Sequence, residues 1–348
     1  MKRQLLGVAA ILLSISTYAQ DNPLWMRYCA ISPDGTTIAF TYKGDIYTVP
    51  STGGRASQIT TNPAHDTKPI WSPDGKKIAF ASDRMGSMDI FEVNKEGGIP
   101  KRLTTHSGNE TPVAYKDAGH ILFLANIMPT AEDAQFPSGQ FQQVYEVNTE
   151  GGRPILFSSM PMEDISINHT GNTLLYHDKK GYEDPWRKHH TSSITRDIWL
   201  CSLNGNRTFR KQTAFNGEDR TPVWASDDKS FYYLSEEKGS FNIFKRDIDG
   251  NTSKQITNHT KHPVRFLSAA SNGTLCYGYD GEIYTVKEGA IPQKVQISIV
   301  TDKNDKDLIR QIKSSGATEM AVSPDGKEVA FVLRGDVYVT SVEYKTTK

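Results

Sequence analysis

The sequence predicts an all-β fold: a six-bladed β-propeller of four-stranded antiparallel blades, then the first, incomplete blade of a second propeller. Three observations predict it. A tight-turn motif recurs as Ser32-Pro33-Asp34-Gly35, Ser72-Pro73-Asp74-Gly75 and Ser323-Pro324-Asp325-Gly326. Each copy leads into an apolar run: Thr37-Ile38-Ala39-Phe40, Lys77-Ile78-Ala79-Phe80 and Glu328-Val329-Ala330-Phe331. An acid or amide, a β-branched residue and an aromatic then follow. The copies are Asp45-Ile46-Tyr47, Asp89-Ile90-Phe91, Gln143-Val144-Tyr145, Asp197-Ile198-Trp199, Asn242-Ile243-Phe244, Glu282-Ile283-Tyr284 and Asp336-Val337-Tyr338. They stand 40 to 54 residues apart. Units of short strands at that spacing cannot bury both faces alone, so they stack as blades around an axis.

The elements follow in order. Lys2 and Arg3 open a short positive start, Leu5 to Ile15 form an apolar run, and Thr17-Tyr18-Ala19 offers small residues for cleavage. This predicts a signal peptide over residues 1–19 and a periplasmic or secreted mature chain. The run is too short to span ~30 Å of hydrocarbon, and nothing later is apolar enough, so no membrane span is expected.

Within a blade, Pro presets φ for a tight turn, Asp bonds back to the backbone and Gly takes the left-handed conformation. In the second unit this joins a strand at Lys68–Ser72 to one at Lys77–Ser82. A third runs over Asp89–Asn94, and Gly97-Gly98 turns the chain into a fourth ending near Thr104. Side chains alternate between two faces along each strand. The units are expected at 29–60, 69–104, 112–157, 163–213, 222–257 and 263–299, inside a propeller domain of residues 20–299. The turn degenerates to Lys116-Asp117-Ala118-Gly119, Asn168-His169-Thr170-Gly171, Ser226-Asp227-Asp228-Lys229 and Ala270-Ser271-Asn272-Gly273 in the later units.

The charged run Thr301-Asp302-Lys303-Asn304-Asp305-Lys306-Asp307 predicts an exposed linker over 300–318. The motif restarts at Ser323 and gives about three strands within 319–348. Two readings compete: a seventh blade of one ring, or the start of a second propeller. The polar lead-in favours the second. Exposed strand edges and apolar faces predict mobility there.

Balanced charge, 40 basic against 40 acidic residues, argues against a nucleic-acid partner. The 37% hydrophobic content argues against disorder. Cys29, Cys201 and Cys276 are odd in number and far apart, so buried single thiols are expected rather than a disulfide framework.

Two insertions carry the candidate site. One runs from Asn126 to Phe141, the other from Asp178 to Arg196, each between the second and third strands of its blade. Functional residues concentrate on loops held by a rigid scaffold. In the second insertion Trp186, Arg187, Lys188, His189 and His190 mix aromatic, cationic and imidazole groups suited to a peptide or its carboxylate. No metal is expected: adjacent histidines on a strand point to opposite faces, and no carboxylate stands at ligand spacing. Asp247-Ile248-Asp249-Gly250-Asn251 lacks the glycine and glutamate of a calcium loop and predicts a hairpin turn. No nucleophile elbow, zinc-protease helix or phosphate-cradling loop occurs, so no catalytic residue and no cofactor are expected. The residues alone predict a binding or gating scaffold.

The stretches Ser72–Gly86 and Asp89–Gly98 resemble the propeller repeats of TolB and tricorn-type proteins. From Pro23-Leu24-Trp25-Met26-Arg27-Tyr28 through the linker, the chain is similar to the amino-terminal part of exported tricorn-like proteases, whose catalytic domain is an S41 serine peptidase. The resemblance implies a non-catalytic propeller portion that gates or channels peptides to carboxyl-terminal protease domains lying outside residues 1–348. It implies peptides or a partner protein as partners and is compatible with an oligomer. In that family two adjacent arginines of the first propeller anchor a peptide's carboxyl end. This sequence has no Arg-Arg pair, and Arg187-Lys188 is the nearest loop equivalent. The alternative is a stand-alone TolB-like interaction propeller. TolB-type proteins carry an α/β domain before the propeller, for which there is no room before residue 29.

Overall fold

The structure, a computed structural model, describes residues 23–126, 141–182, 184, 186, 191–300 and 313–343. Among these, six four-stranded antiparallel sheets follow one another along the chain. Blade 1 holds β1 (Arg27–Ile31), β2 (Thr37–Tyr42), β3 (Asp45–Pro50), a short β4 (Gly54–Arg55) and β5 (Ser57–Gln58). Blade 2 holds β6 (Asp66–Trp71), β7 (Lys77–Ser82), β8 (Asp89–Asn94) and β9 (Lys101–Arg102). Blade 3 holds β10 (Glu110–Asp117), β11 (His120–Ala125), β12 (Gln143–Asn148) and β13 (Ile155–Ser158). Blade 4 holds β14 (Met162–Ile167), β15 (Thr173–Asp178), β16 (Ile198–Ser202) and β17 (Thr208–Lys211). Blade 5 holds β18 (Asp219–Trp224), β19 (Ser230–Ser235), β20 (Asn242–Asp247) and β21 (Ser253–Gln255). Blade 6 holds β22 (Arg265–Ala269), β23 (Leu275–Tyr279), β24 (Glu282–Val286) and β25 (Gln293–Lys294). The first strand of each blade packs on the first strand of the next, and β22 returns to β1, so the six blades form a ring.

The recurring triplet has a packing cause. Ile46 of blade 1 enters the core shared with blade 2, while its neighbour Tyr47 enters the core shared with blade 6. Ile90 and Phe91 divide the same way between blades 3 and 1, and Ile243 and Phe244 between blades 6 and 4. One β-branched and one aromatic residue, pointing opposite ways, cement each blade to both neighbours. The aromatic also pairs across its own sheet: Phe40 with Tyr47, Phe80 with Phe91, and Phe123 with Tyr145, with ring centroids 5.8, 6.1 and 5.8 Å apart.

The turns follow the expected chemistry. Asp74 accepts from the Ser72 hydroxyl at 2.7 Å and the Lys76 N–H at 3.1 Å, and the Ser72 oxygen accepts from the Lys77 N–H at 2.9 Å. Degenerate copies keep the geometry by other means. In blade 4 the Asn168 side-chain oxygen takes the N–H groups of Asn172 and Thr173. In blade 5 Asp228 replaces the glycine at φ 51°.

The ring closes outside the six sheets. The strand β26 (Ile297–Ser298) pairs parallel with β4. Gly53 makes this approach possible: its φ is +92°, and a Cβ there would lie 2.7 Å from the Gln296 carbonyl oxygen. Because six blades already close the ring, the last unit stands outside it. It is a separate three-stranded sheet of β27 (Ala317–Val322), β28 (Glu328–Leu333) and β29 (Asp336–Ser341). Its Ser323-Pro324-Asp325-Gly326 turn has the same bonds as the others. Met320, Val322 and Val337 remain exposed on it.

Candidate axial binding site

A cavity of about 530 Å³ lies where the six inner strands β1, β6, β10, β14, β18 and β22 converge, and all six line it. The strands reach it by a shared irregularity. In β1, β6, β14, β18 and β22 the pairing with the second strand breaks register at the same place. A non-glycine residue in each break has positive φ: Tyr28 (52°), Lys68 (53°), Asp164 (47°), Thr221 (51°) and Phe266 (57°). The left-handed conformation costs an L-residue roughly 1–2 kcal/mol, and it is rarer still for a β-branched one such as Thr221. Such strain persists where the surrounding structure holds it, typically at functional positions. All five residues line the cavity. The bulge takes each of them out of the ladder and aims it inward.

Acids and cations are paired on one side of the lining. On blades 4 and 5, Glu163 accepts from Lys179 at 2.7 Å and contacts His177 Nε2 at 3.2 Å and Arg196 at 3.5 Å. Burial raises the Glu163 carboxyl, but the bond to His177 and the charges of His177 and Lys179 more than offset it, holding it well below the usual carboxylate range. The Thr221 nitrogen lies 3.3 Å from His177 Nδ1, so the imidazole is held between blade 5 and Glu163. The Thr221 hydroxyl donates to Asp164 at 2.6 Å. Glu218 pairs with Arg196 at 2.8 Å and Arg220 at 3.5 Å.

On the other side, blades 6, 1 and 2 present cations and aromatic rings. Phe266 packs on Tyr28 at 4.8 Å, and Lys68 lies 5.7 Å over the Tyr28 ring. Arg265 is the most perturbed of these cations: burial and the nearby charges of Arg220 and Arg27, partly offset by Asp184, lower its pKa to about 10.

Trp186 joins the two sides. It belongs to the blade 4 insertion, between β15 and β16, yet its ring lies 4.9 Å from the guanidinium of Arg27 on blade 1 and 5.0 Å from that of Arg265 on blade 6. Arg265 also donates to the Trp186 carbonyl at 2.6 Å, and Phe266 meets the indole edge-on at 6.0 Å. Blades 1 and 4 are opposite in a six-membered ring, so the indole reaches across the axis. Of the five residues proposed from sequence, Trp186 is thereby placed in the cavity lining, whereas Arg187, Lys188, His189 and His190 lie outside the described residues.

Sequence reasoning missed the inner-strand residues. A signal for them exists. Tyr28, Lys68, Asp164, Thr221 and Phe266 each stand four residues before the residue that opens the blade's turn: Ser32, Ser72, Asn168, Ala225 and Ala270.

Comparison with known proteins agrees with this architecture. The family model described as the tricorn protease N-terminal beta propeller domain matches residues 23–290. Tricorn protease homolog 1 of Streptomyces coelicolor is 25% identical over 281 residues, covering 80% of this chain and 25% of that protein. The tricorn protease homolog of Saccharolobus solfataricus is 26% identical over 328 residues, covering 90% of this chain and 28% of that protein. The crystal structure of the tricorn protease superposes with a TM-score of 0.68 at 22% identity, covering 94% of this chain and 31% of that one. The chain thus spans between a quarter and a third of the length of these relatives. With a family match over most of its length and six blades closed into a ring, the chain belongs to the family of tricorn protease N-terminal β-propeller domains.

Proposed function

We propose that this chain is the non-catalytic propeller portion of a periplasmic tricorn-like serine protease, and that its axial cavity receives peptides on their way to or from a catalytic domain beyond residue 348. One observation carries this reading. A cavity lined by every blade sets cations and aromatic rings of blades 6, 1 and 2 opposite a network of paired acids and cations on blades 4 and 5, with strained residues aimed into it. An extended peptide carries both charges: its carboxylate suits Arg265 and Lys68, and its ammonium suits Asp164. The apolar start of the sequence supports export, and a mature chain beginning at Gln20 would establish it.

The test is calorimetric titration of the purified chain with short peptides carrying either a free or an amidated carboxyl end. Free-acid peptides should bind at micromolar to millimolar strength and amidated ones about tenfold more weakly, the loss of one charge-assisted contact. Arg265→Gln should erase that difference. The chain should hydrolyse none of them. Equal binding of both peptide forms, or hydrolysis by this chain, would overturn the proposal.

A further inference from the structure

We propose that Cys29 and Cys276 form a disulfide across the closing seam of the ring when a disulfide oxidant is present, tying the first blade to the last. The inference is independent of the peptide reading.

The two residues meet because the ring closes. Cys29 lies on β1 of blade 1 and Cys276 on β23 of blade 6, and both are buried in the core between these blades. One side chain brackets them. The Ser268 hydroxyl lies 3.4 Å from the Cys29 carbonyl and 3.5 Å from the Cys276 carbonyl. Ser268 stands directly opposite Cys276 in the β22–β23 ladder, and its oxygen accepts from the Ile31 N–H at 3.0 Å. The Cys29 thiol donates to the Phe266 carbonyl at 3.4 Å, and burial, then the neighbouring Cys29 thiol, raises Cys276 well above the ordinary thiol range. Cys201 is different. It sits on β16 in the core between blades 3 and 4, apart from this pair.

The seam is where a covalent tie has most effect. Its parallel main-chain ladder is the two-residue pairing of β26 with β4. Opening the ring separates blades 1 and 6, and a bond between Cys29 and Cys276 would hold them together. It would also close nearly the whole propeller into one loop, and constraint of the unfolded chain grows with loop length.

The chemistry balances with a small disulfide such as oxidised glutathione. The thiolate of one cysteine attacks the glutathione disulfide, forming a mixed disulfide and releasing one glutathione thiolate. The second cysteine thiolate attacks the protein sulfur of that mixed disulfide, forming the Sγ–Sγ bond and releasing the second glutathione. Two cysteine thiols are oxidised, one glutathione disulfide is reduced, and the two cysteine protons end on the glutathione thiols. Both cysteines are buried in the closed ring and one thiol is held protonated, so reaction is slow there. The bond forms while the seam is still open, during folding.

The experiment unfolds the full chain in denaturant and refolds it either in reductant or in a mixture of reduced and oxidised glutathione. The folded fraction is then denatured, alkylated and weighed. Three alkyl groups are expected after reducing refolding. One, on Cys201, is expected after oxidative refolding, with a tryptic peptide pair joining Cys29 to Cys276. The oxidised form should melt roughly 10 °C higher. Cys201→Ser should keep the bond, and Cys29→Ser should lose both the bond and the difference in melting temperature. The same peptide map on protein exported through an oxidising periplasm supplies a second reading. Three alkylatable thiols under both regimes, a bond to Cys201, or glutathione left on Cys29 would overturn the proposal.

Discussion

Glu163 shows how the axial site is held. Its carboxylate is the shared counter-charge of Lys179 and Arg196 and accepts from His177. Removing a partly buried charge whose partners stay behind is costly, because those partners lose the interaction that offset their desolvation. Glu163→Gln should therefore destabilise the chain by about 3 kcal/mol at pH 7, seen as a lower urea midpoint. The pH dependence has a definite sign. The folded carboxyl is depressed, so its contribution is complete above the unfolded value near 4.5 and is lost as pH falls toward the folded one. The gap between wild type and variant should thus narrow steadily below about pH 4.5. A gap that stays constant from pH 7 to pH 3 would show that Glu163 matters through shape, not charge.

At the scale of the element, the blade was largely legible because its two signatures are single physical devices. The turn needs an acceptor, a proline and a glycine. The triplet needs one residue for each neighbouring core. Even the terminal threonine has a fixed role, since the hydroxyls of Thr60, Thr104 and Thr257 accept from the N–H groups of Ile46, Ile90 and Ile243, each at 2.9 Å. The axial residues escaped notice because their position repeats but their type does not. Tyr28, Lys68, Asp164, Thr221 and Phe266 share a bulge and an offset, and five different chemistries occupy it. Trp186 was legible as an aromatic in an insertion, but the loop alone could not say that it reaches to blades 6 and 1. The meeting of Cys29 and Cys276 was hidden for a related reason, since only closure of the ring makes first and last blades neighbours. The turn device can be tested directly. Asp74→Ala removes two hydrogen bonds at an exposed turn and should cost about 1 kcal/mol, lowering the melting temperature by a few degrees. Asp74→Asn, which keeps an acceptor, should recover most of that. Equal loss in both variants would mean that charge rather than hydrogen bonding shapes the turn.

At the scale of the whole molecule, acids face one another across three blade junctions: Asp45 with Asp66, Asp89 with Glu110, and Asp197 with Asp219. One member of each pair has a cation. Arg84 binds Asp66 and Arg102 binds Asp89, both at 2.8 Å, and Lys211 lies 2.9 Å from Asp197. The other member pays in protonation. Burial, together with its facing acid, raises Asp45, Glu110 and Asp219 each to about 7. Unfolding returns these carboxyls to about 4, so between about pH 4 and 7 the folded ring binds more protons than the unfolded chain. Stability from these groups is therefore fully present at about pH 4 and declines as pH rises through 7. Glu163 acts in the opposite sense below about pH 4.5, so the ring should be most stable near pH 4 and melt earlier at pH 8. Asp219→Asn removes one ionisation while keeping the side chain's size and its capacity for hydrogen bonds. It should raise stability at pH 8 by roughly 1–3 kcal/mol, have little effect near pH 4, and flatten the profile between them. Melting curves of both proteins from pH 4 to 8 decide the matter: parallel profiles would show that the junction acids stay ionised in the fold and that other groups set its response to pH.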